Sequence, residues 1–188
     1  MSTTTHHPPR VAVVYESMFG NTRRIAEAIA EGVLESATVE VRAVHGLEPW
    51  PLTSDVVIVG APTHVHGLSR ASTRAEAVRW SEDQARDLQL DESADGTGIR
   101  EWLKESPPKA LLFVAFDTRA DMPRIFTGSA AVAIDRKLRA RGMSRLADPN
   151  SFVVDKQSRL VDGEVDRARE WGRELGRTLA PLHAESKG

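Results

Sequence analysis

Three stretches of the chain are apolar at successive positions: Val11 to Tyr15, Val56 to Val59 and Ala110 to Phe116. Segments hydrophobic on both faces, rich in β-branched residues and cut off by Gly or Asp, suit the central strands of a parallel sheet covered on both sides. From Thr38 to Val44 the pattern alternates instead, with Val39, Val41 and Ala43 on one side and Glu40 and Arg42 on the other, as in an edge strand. Ser151 to Val154 is a shorter fifth candidate. Helical spacing fills the gaps. Ile25, Ile29 and Val33, flanked by Thr22 and Ala26, form one stripe. Phe126, Ala130, Ile134 and Leu138 form another that ends at Gly142, a residue suited to a C-cap. Val165, Ala168, Trp171, Leu175 and Leu179 mark a last helix, with Asp162 placed to cap it and Pro181 placed to end it. Between residues 63 and 109 the pattern predicts a helix around Thr73 to Leu88, a polar glycine-containing segment from Asp91 to Gly98, and a short helix near Ile99 to Lys104. Strands alternating with helices predict an α/β, doubly wound, five-stranded parallel sheet with right-handed crossovers. No repeat or second core is visible, so a single domain is expected over residues 10–182, between an N-terminal tail at 1–9 that reads as disordered and a tail at 183–188.

Composition narrows the chemistry. The 188 residues are 40% hydrophobic, enough to build a full core, and include no cysteine. A disulfide framework, a thiolate metal site, an iron–sulfur cluster and a cysteine nucleophile are therefore excluded. Lys+Arg 25 against Asp+Glu 27 gives a net charge of −2, which is no footprint for nucleic acid. No apolar run approaches the roughly 18 residues that span a bilayer. The polar, proline-bearing start is no secretory signal, and the expectation is a cytoplasmic protein without membrane or nucleic-acid partners.

The first apolar stretch runs into Glu16-Ser17-Met18-Phe19-Gly20-Asn21-Thr22, after which a helix begins. In a doubly wound sheet, ligands bind where the strand ends meet helix N-termini. A helix start offers free backbone N–H groups and the positive end of its dipole to a phosphate dianion. Ser17 and Thr22 add hydroxyls, and Gly20 lets the backbone approach a ligand closely. The same residue types also make ordinary turns and caps, so the loop by itself leaves both readings open. Gly-x-x-x-x-Gly-Lys-Ser/Thr and Gly-x-Gly-x-x-Gly are both missing from this turn, which excludes the standard nucleotide and dinucleotide loops.

Ser17-Met18-Phe19-Gly20-Asn21-Thr22 resembles the phosphate signature of flavodoxins, Ser/Thr-x-Ser/Thr-Gly-x-Thr, which cradles the 5′-phosphate of FMN. The resemblance implies the strand order 2-1-3-4-5, with FMN at the switch between strands one and three. It departs at Phe19, where a hydroxyl residue is usual, so one phosphate donor is lost. Arg23 and Arg24, in the first helical turn, are expected to be solvated cations.

Two further loops would wall the flavin ring. Gly60-Ala61-Pro62-Thr63-His64-Val65-His66-Gly67 resembles the Gly-x-Pro-Thr segment of flavodoxin-like quinone reductases, which runs along the flavin edge. Pro62, Thr63, His64, Val65, His66 and Gly67 are therefore candidate contacts. Either histidine could pack on the ring or relay a proton, with solvated imidazoles as the alternative; a metal lacks a third ligand. After the fourth strand come Asp117, Thr118 and Arg119, with Thr118 expected near the pyrimidine oxygens. Arg119 would either stabilise charge at flavin N1 or pair with Asp117 at the surface. Typical flavodoxins sandwich the flavin between aromatic side chains, but neither wall loop here contains Trp or Tyr; Trp80 and Trp102, between strands three and four, could fold over the ring, with core packing the expectation. Glu82, Asp83, Asp87, Asp91, Glu92 and Asp95 form a local acidic excess, read as a solvated face rather than a steering patch.

The resemblance, to short-chain flavodoxins in particular, implies an FMN-binding electron-transfer protein, monomeric or a weak homo-oligomer, serving a redox partner protein or a small-molecule quinone. An NAD(P)H-dependent FMN quinone reductase of the same fold is the alternative, ranked behind the carrier. A flavin-free interaction module is a further alternative, favoured by Phe19 and by the missing aromatic walls. A signalling receiver domain is excluded, because Tyr15-Glu16 and Gly60-Ala61 stand where its acidic cluster and phosphorylated aspartate belong.

Overall fold

In the computed structural model, which describes residues 7–47, 54–64, 67–83, 86–94, 96–104 and 112–185, the first apolar stretch forms strand β1 (Arg10–Tyr15) near the middle of a parallel sheet. On one side it pairs with β2 (Thr38–Ala43), Val13 opposite Val41. On the other it pairs with β3 (Val56–Pro62), Val13 opposite Ile58. Beyond β3 lies β4 (Leu112–Ala120), with Val114 opposite Ile58. The strand order is 2-1-3-4-5, as the resemblance implied. The expected strand at 151–154 is present, but the edge is filled in two pieces and the sheet has six strands. Strand β5 (Ser144–Arg145) pairs with Leu112 and Phe113, and β6 (Asn150–Val154) pairs with Phe116 to Ala120. Between them Leu146 and Ala147 turn in against the core, and Pro149 has no N–H to give a ladder.

Alternation along the strands divides the interior. Val11, Val13 and Tyr15 face the layer made by helix α1 (Asn21–Val33) and the last helix, α6 (Glu164–Glu185), with Ile25, Ile29, Leu175 and Leu179 among its buried residues. These two helices approach closely through glycines. A Cβ on Gly32 would lie 2.1 Å from the Arg169 carbonyl oxygen, and one on Gly172 would lie 2.2 Å from that of Ile29. Ion pairs flank the contact, Arg169 with Glu31 at 2.8 Å and Arg173 with Glu35 at 2.7 Å.

The opposite face, lined by Ala12, Val14, Val57 and Val59, packs against Leu68, Ile99, Trp102, Leu103, Ile134 and Leu138. Helix α2 (Ala71–Glu82) buries only Ala77. The single turn α3 (Ile99–Trp102) buries Ile99 and Trp102, with Leu103 beyond it. A second single turn, α4 (Arg124–Thr127), leads to α5 (Ala130–Arg139), which buries Ile134 and Leu138.

Several element limits differ from the sequence pattern. Helix α2 stops at Glu82 instead of Leu88, because Asp83 turns to extended backbone (ψ 101°). Phe126 does not extend the α5 stripe: Gly128 (φ 71°, ψ −162°) breaks the chain, Ser129 caps α5 by accepting the Val132 N–H, and Phe126 is 63% exposed. Gly142 does close α5, in a Schellman arrangement where its N–H bonds Arg139 and that of Met143 bonds Leu138. Gly163 (φ 85°), not Asp162, precedes α6, and that helix continues through Pro181 to Glu185. Proline removes one helical bond at that point without stopping the chain from completing another turn. Ala110 and Leu111 lie outside the described residues. No helix among the described residues is long and apolar enough to cross a membrane.

Candidate functional site

Strand β1 gives its last ladder bond at Glu16, whose N–H reaches the Gly60 carbonyl at 3.0 Å. The chain then turns at Gly20 (φ 80°, ψ −12°) directly into α1. A left-handed residue is needed there, which is why glycine suits the position. Among the described residues, no backbone N–H from Ser17 to Thr22 has a hydrogen-bond partner in the protein. Ser17 is buried and its Oγ faces the Arg23 N–H at 3.4 Å. Thr22 Oγ1 shares a 2.8 Å bond with Thr118 Oγ1. Only one proton lies within that bond, so the pair has a second hydroxyl proton to offer. The loop is held from outside. Its Met18 carbonyl accepts the Asp91 N–H at 2.8 Å, and Asn21 Nδ2 donates to the Ser158 carbonyl at 2.6 Å. Arg23 is not simply solvated: its Nε lies 3.1 Å from the buried Asp91 carboxylate. Arg24 is exposed, as expected.

Beneath this loop lies a buried polar cluster that the sequence did not reveal. The Glu16 carboxylate accepts the Ile99 N–H at 2.8 Å and the Ser69 hydroxyl. Arg74 donates to Ser69 at 3.0 Å and to Glu101 at 3.1 Å. Burial pushes the Glu16 pKa up, against the pull of Ser69, Ile99 and Arg74. Arg100 adds bonds to the Leu68 and Ser69 carbonyls. Residues 67–70 are thereby fastened to α3 and to the end of β1.

The two wall loops divide into pins and lining. Asp117 is fully buried; its Oδ2 accepts from Thr63 Oγ1 (3.0 Å), Ser129 Oγ (2.6 Å) and the Ala131 N–H (3.0 Å). Thr63 also accepts the Ala130 N–H at 2.9 Å. Asp117 therefore locks β3, β4 and the start of α5 together, with the helix dipole favouring its negative charge. The surface pair with Arg119 does not form. Arg119 Nη1 instead reaches the carbonyls of Ala120 and Met122, and its Nε is buried with no partner among the described residues. His64 closes a tight bridge with Gly67 through bonds of 2.8 and 2.9 Å, and its Nε2 is buried without a partner among the described residues. Burial, then Arg74, pushes the His64 pKa down, and Glu76 opposes them. Val65 and His66 lie outside the described residues.

Met18, Phe19, Asn21, Thr22, Pro62, Thr63, His64, Thr118 and Arg119 all line one cleft of about 330 Å³ at the C-terminal edge of the sheet. That volume lies in the range of small-molecule sites. Ser17, Gly20, Gly67 and Asp117 support the cleft without lining it. Two further walls were missed from the sequence. One is the 154–158 segment after β6, where Asp155 Oδ1 accepts the N–H groups of Gln157 and Arg159 and Ser158 takes φ 58°. The other is the stripe Thr73, Glu76, Ala77 and Trp80 on α2. Trp102 packs in the core as expected, but Trp80 does not: it is 38% exposed and stands on the cleft, with the Arg86 guanidinium 4.9 Å from its ring. The acidic excess is also used internally. Asp83 pairs with Arg86, Asp87 with Arg159 and Asp91 with Arg23. Among the described residues, no cluster of side chains suits a metal ion.

A model of the flavodoxin family matches residues 13–173. Among curated proteins none matches the chain. Solved structures share the fold. A flavodoxin from the domain Archaea is 18% identical with a TM-score of 0.60, covering 90% of this chain and 98% of its own. Oxidised flavodoxin 1 from Bacillus cereus is 17% identical with a TM-score of 0.60, covering 89% and 97%. A WrbA-like flavodoxin from Agrobacterium tumefaciens is 20% identical with a TM-score of 0.52, covering 93% and 99%.

Proposed function

The chain belongs to the flavodoxin family, and from that premise we propose that it binds FMN in the cleft and carries electrons in the cytoplasm to a redox partner protein or a small-molecule quinone. The observation that carries this reading is the run of N–H groups from Ser17 to Thr22, at the start of α1, that have no partner among the described residues. Such groups attract an anion, and the α1 dipole adds to the attraction. The residues fit the cofactor's phosphate despite Phe19: the backbone supplies donors there, and the Thr22–Thr118 pair retains a hydroxyl proton. When bound, FMN supplies the chemistry by accepting and releasing one or two electrons. The protein's part is to bind and orient it. Pro62 and His64 line one side of the cleft and Thr118 and Arg119 another, with the Arg119 Nε available as a buried donor. Arg23 is neutralised by Asp91, so it adds little positive charge to the phosphate loop.

The test is a titration of flavin-stripped protein with FMN, followed by absorbance and melting temperature. A shifted flavin spectrum and a raised melting temperature are the expected results. If neither changes at FMN concentrations up to the millimolar range, the reading is wrong. Adding NAD(P)H to the loaded protein then separates carrier from reductase: a carrier keeps its yellow colour, and a reductase bleaches.

A further inference from the structure

Helix α2 is set apart from the other long helices by what it buries. Of its twelve residues only Ala77 is buried, whereas α1 and α5 each bury an apolar stripe. The side that α2 turns inward, with Thr73, Glu76, Ala77 and Trp80 at helical spacing i, i+3, i+4 and i+7, lines the cleft instead of the sheet. Ala77 also packs with Met18 and Ala94, next to Phe19, so the helix is seated against the phosphate loop itself.

A planar aromatic ligand needs a flat apolar wall, and the other aromatic residues among those described supply little of one. Trp102 is in the core, and Trp171 and Phe116 both pack on Phe152. Phe126 is exposed on α4 and does not line the cleft. Among the described residues, the aromatic side chains on the cleft are Phe19 and Trp80. Phe19 lies in the phosphate loop and packs toward Met18, Ala77 and Ala94. Trp80 is the one left facing open space, with a large apolar surface partly exposed to solvent. Its partner is the Arg86 guanidinium, 4.9 Å from the ring centroid, a contact that engages one of the two indole faces.

The geometry points to Trp80 as the aromatic wall of the bound flavin ring, supplied by helix α2 rather than by either loop that follows β3 or β4. The inference rests on the FMN reading above. It has a consequence for chemistry: a ring covered on that side by an indole is closed there to a second planar molecule, so a planar acceptor approaches the other face or the edge.

The experiment uses flavin-stripped full-length protein, as wild type, Trp80→Phe and Trp80→Ala, titrated with FMN while flavin fluorescence and affinity are read together. Stacked indole quenches flavin emission by donating an electron to the excited ring. Wild type is expected to quench strongly on binding. Trp80→Phe should bind within about threefold of wild type yet leave the bound flavin clearly brighter. Trp80→Ala should be bright and weaker by roughly three- to tenfold, the range that one aromatic contact is worth. Melting curves for both variants confirm folding, and the phenylalanine variant keeps the test decisive if alanine proves unstable. If all three proteins bind FMN with the same affinity and the same quenching, Trp80 does not touch the ring, while the FMN reading stands. If wild type itself takes up no FMN, both fall.

Discussion

The two faces of the sheet are built on opposite plans. On one, α1 and α6 meet backbone to backbone at Gly32 and Gly172, backed by Ile25, Ile29, Leu175 and Leu179. On the other, the apolar cover comes from the single turn α3, from Leu68 and Leu103, and from α5, while α2 packs only through Ala77 on Met18 and Ala94. Helix α1, which starts directly after the Ser17–Gly20 turn, belongs to the closed face. The cleft walls come largely from the open face and from loops. Affinity for a small anion needs fixed donors, whereas admission of a ring and of its redox partner needs a wall that can adjust. On the proposed function, the two needs fall to different faces of the sheet.

The largest test of the contrast is on the closed face. Gly32→Ala places a methyl against the Arg169 carbonyl and the backbone N of Arg173. Backbone cannot yield there cheaply, and a loss of about 3 kcal/mol is expected in urea unfolding. A loss under 1 kcal/mol would show that the helices slide apart easily. Next in size is Thr22→Val at the loop. Removing the hydroxyl leaves Thr118 with an unmade bond and deprives the phosphate of a donor. FMN affinity should fall about tenfold, measured by titration, for a bond to a charged group.

Beneath the open face, Glu16 titrates with a known sign. Burial raises its pKa in the folded state, so folding takes up a proton more readily than the unfolded chain does. Its favourable contribution is complete below the unfolded value and is lost as pH rises through the folded one. Relative to Glu16→Gln, wild type should therefore gain stability as pH is lowered from neutral toward about 4.5, the ordinary glutamate range. Urea midpoints at a series of pH values report the difference, and a parallel course for the two proteins would refute it. The smallest effect belongs to α2. Trp80→Ala, with no ligand present, should cost under about 1 kcal/mol, since the indole covers little of the core. A loss comparable to that of Gly32→Ala would mean that the two faces are equally structural.

The same contrast explains what the sequence could show. Runs such as Val56 to Val59 are buried on both faces, so their pattern is local and legible, as is the α1 stripe of Ile25, Ile29 and Val33. The residues from Ser17 to Thr22 could be read because a helix start and its donors are also local. What stayed hidden depends on distant partners. Asp117 and Thr63 are residue types that serve a ligand or a pin equally well, and only the arrival of Ser129 and Ala131 decides the matter. Arg23 looked solvated because its partner, Asp91, lies far along the chain. Trp80 looked like core because large apolar residues usually are, and α2 offers no local sign that it faces a cleft.

The α1–α6 contact also bears on how the protein is made. Glu31 and Arg169, like Glu35 and Arg173, are 138 residues apart. During synthesis, α1 emerges with its glycine groove uncovered and must wait for nearly the whole of the sheet before its partner leaves the ribosome. At about 5–20 residues per second, that interval is on the order of ten seconds, during which the greasy side of the first helix is open to chaperones or to neighbouring nascent chains.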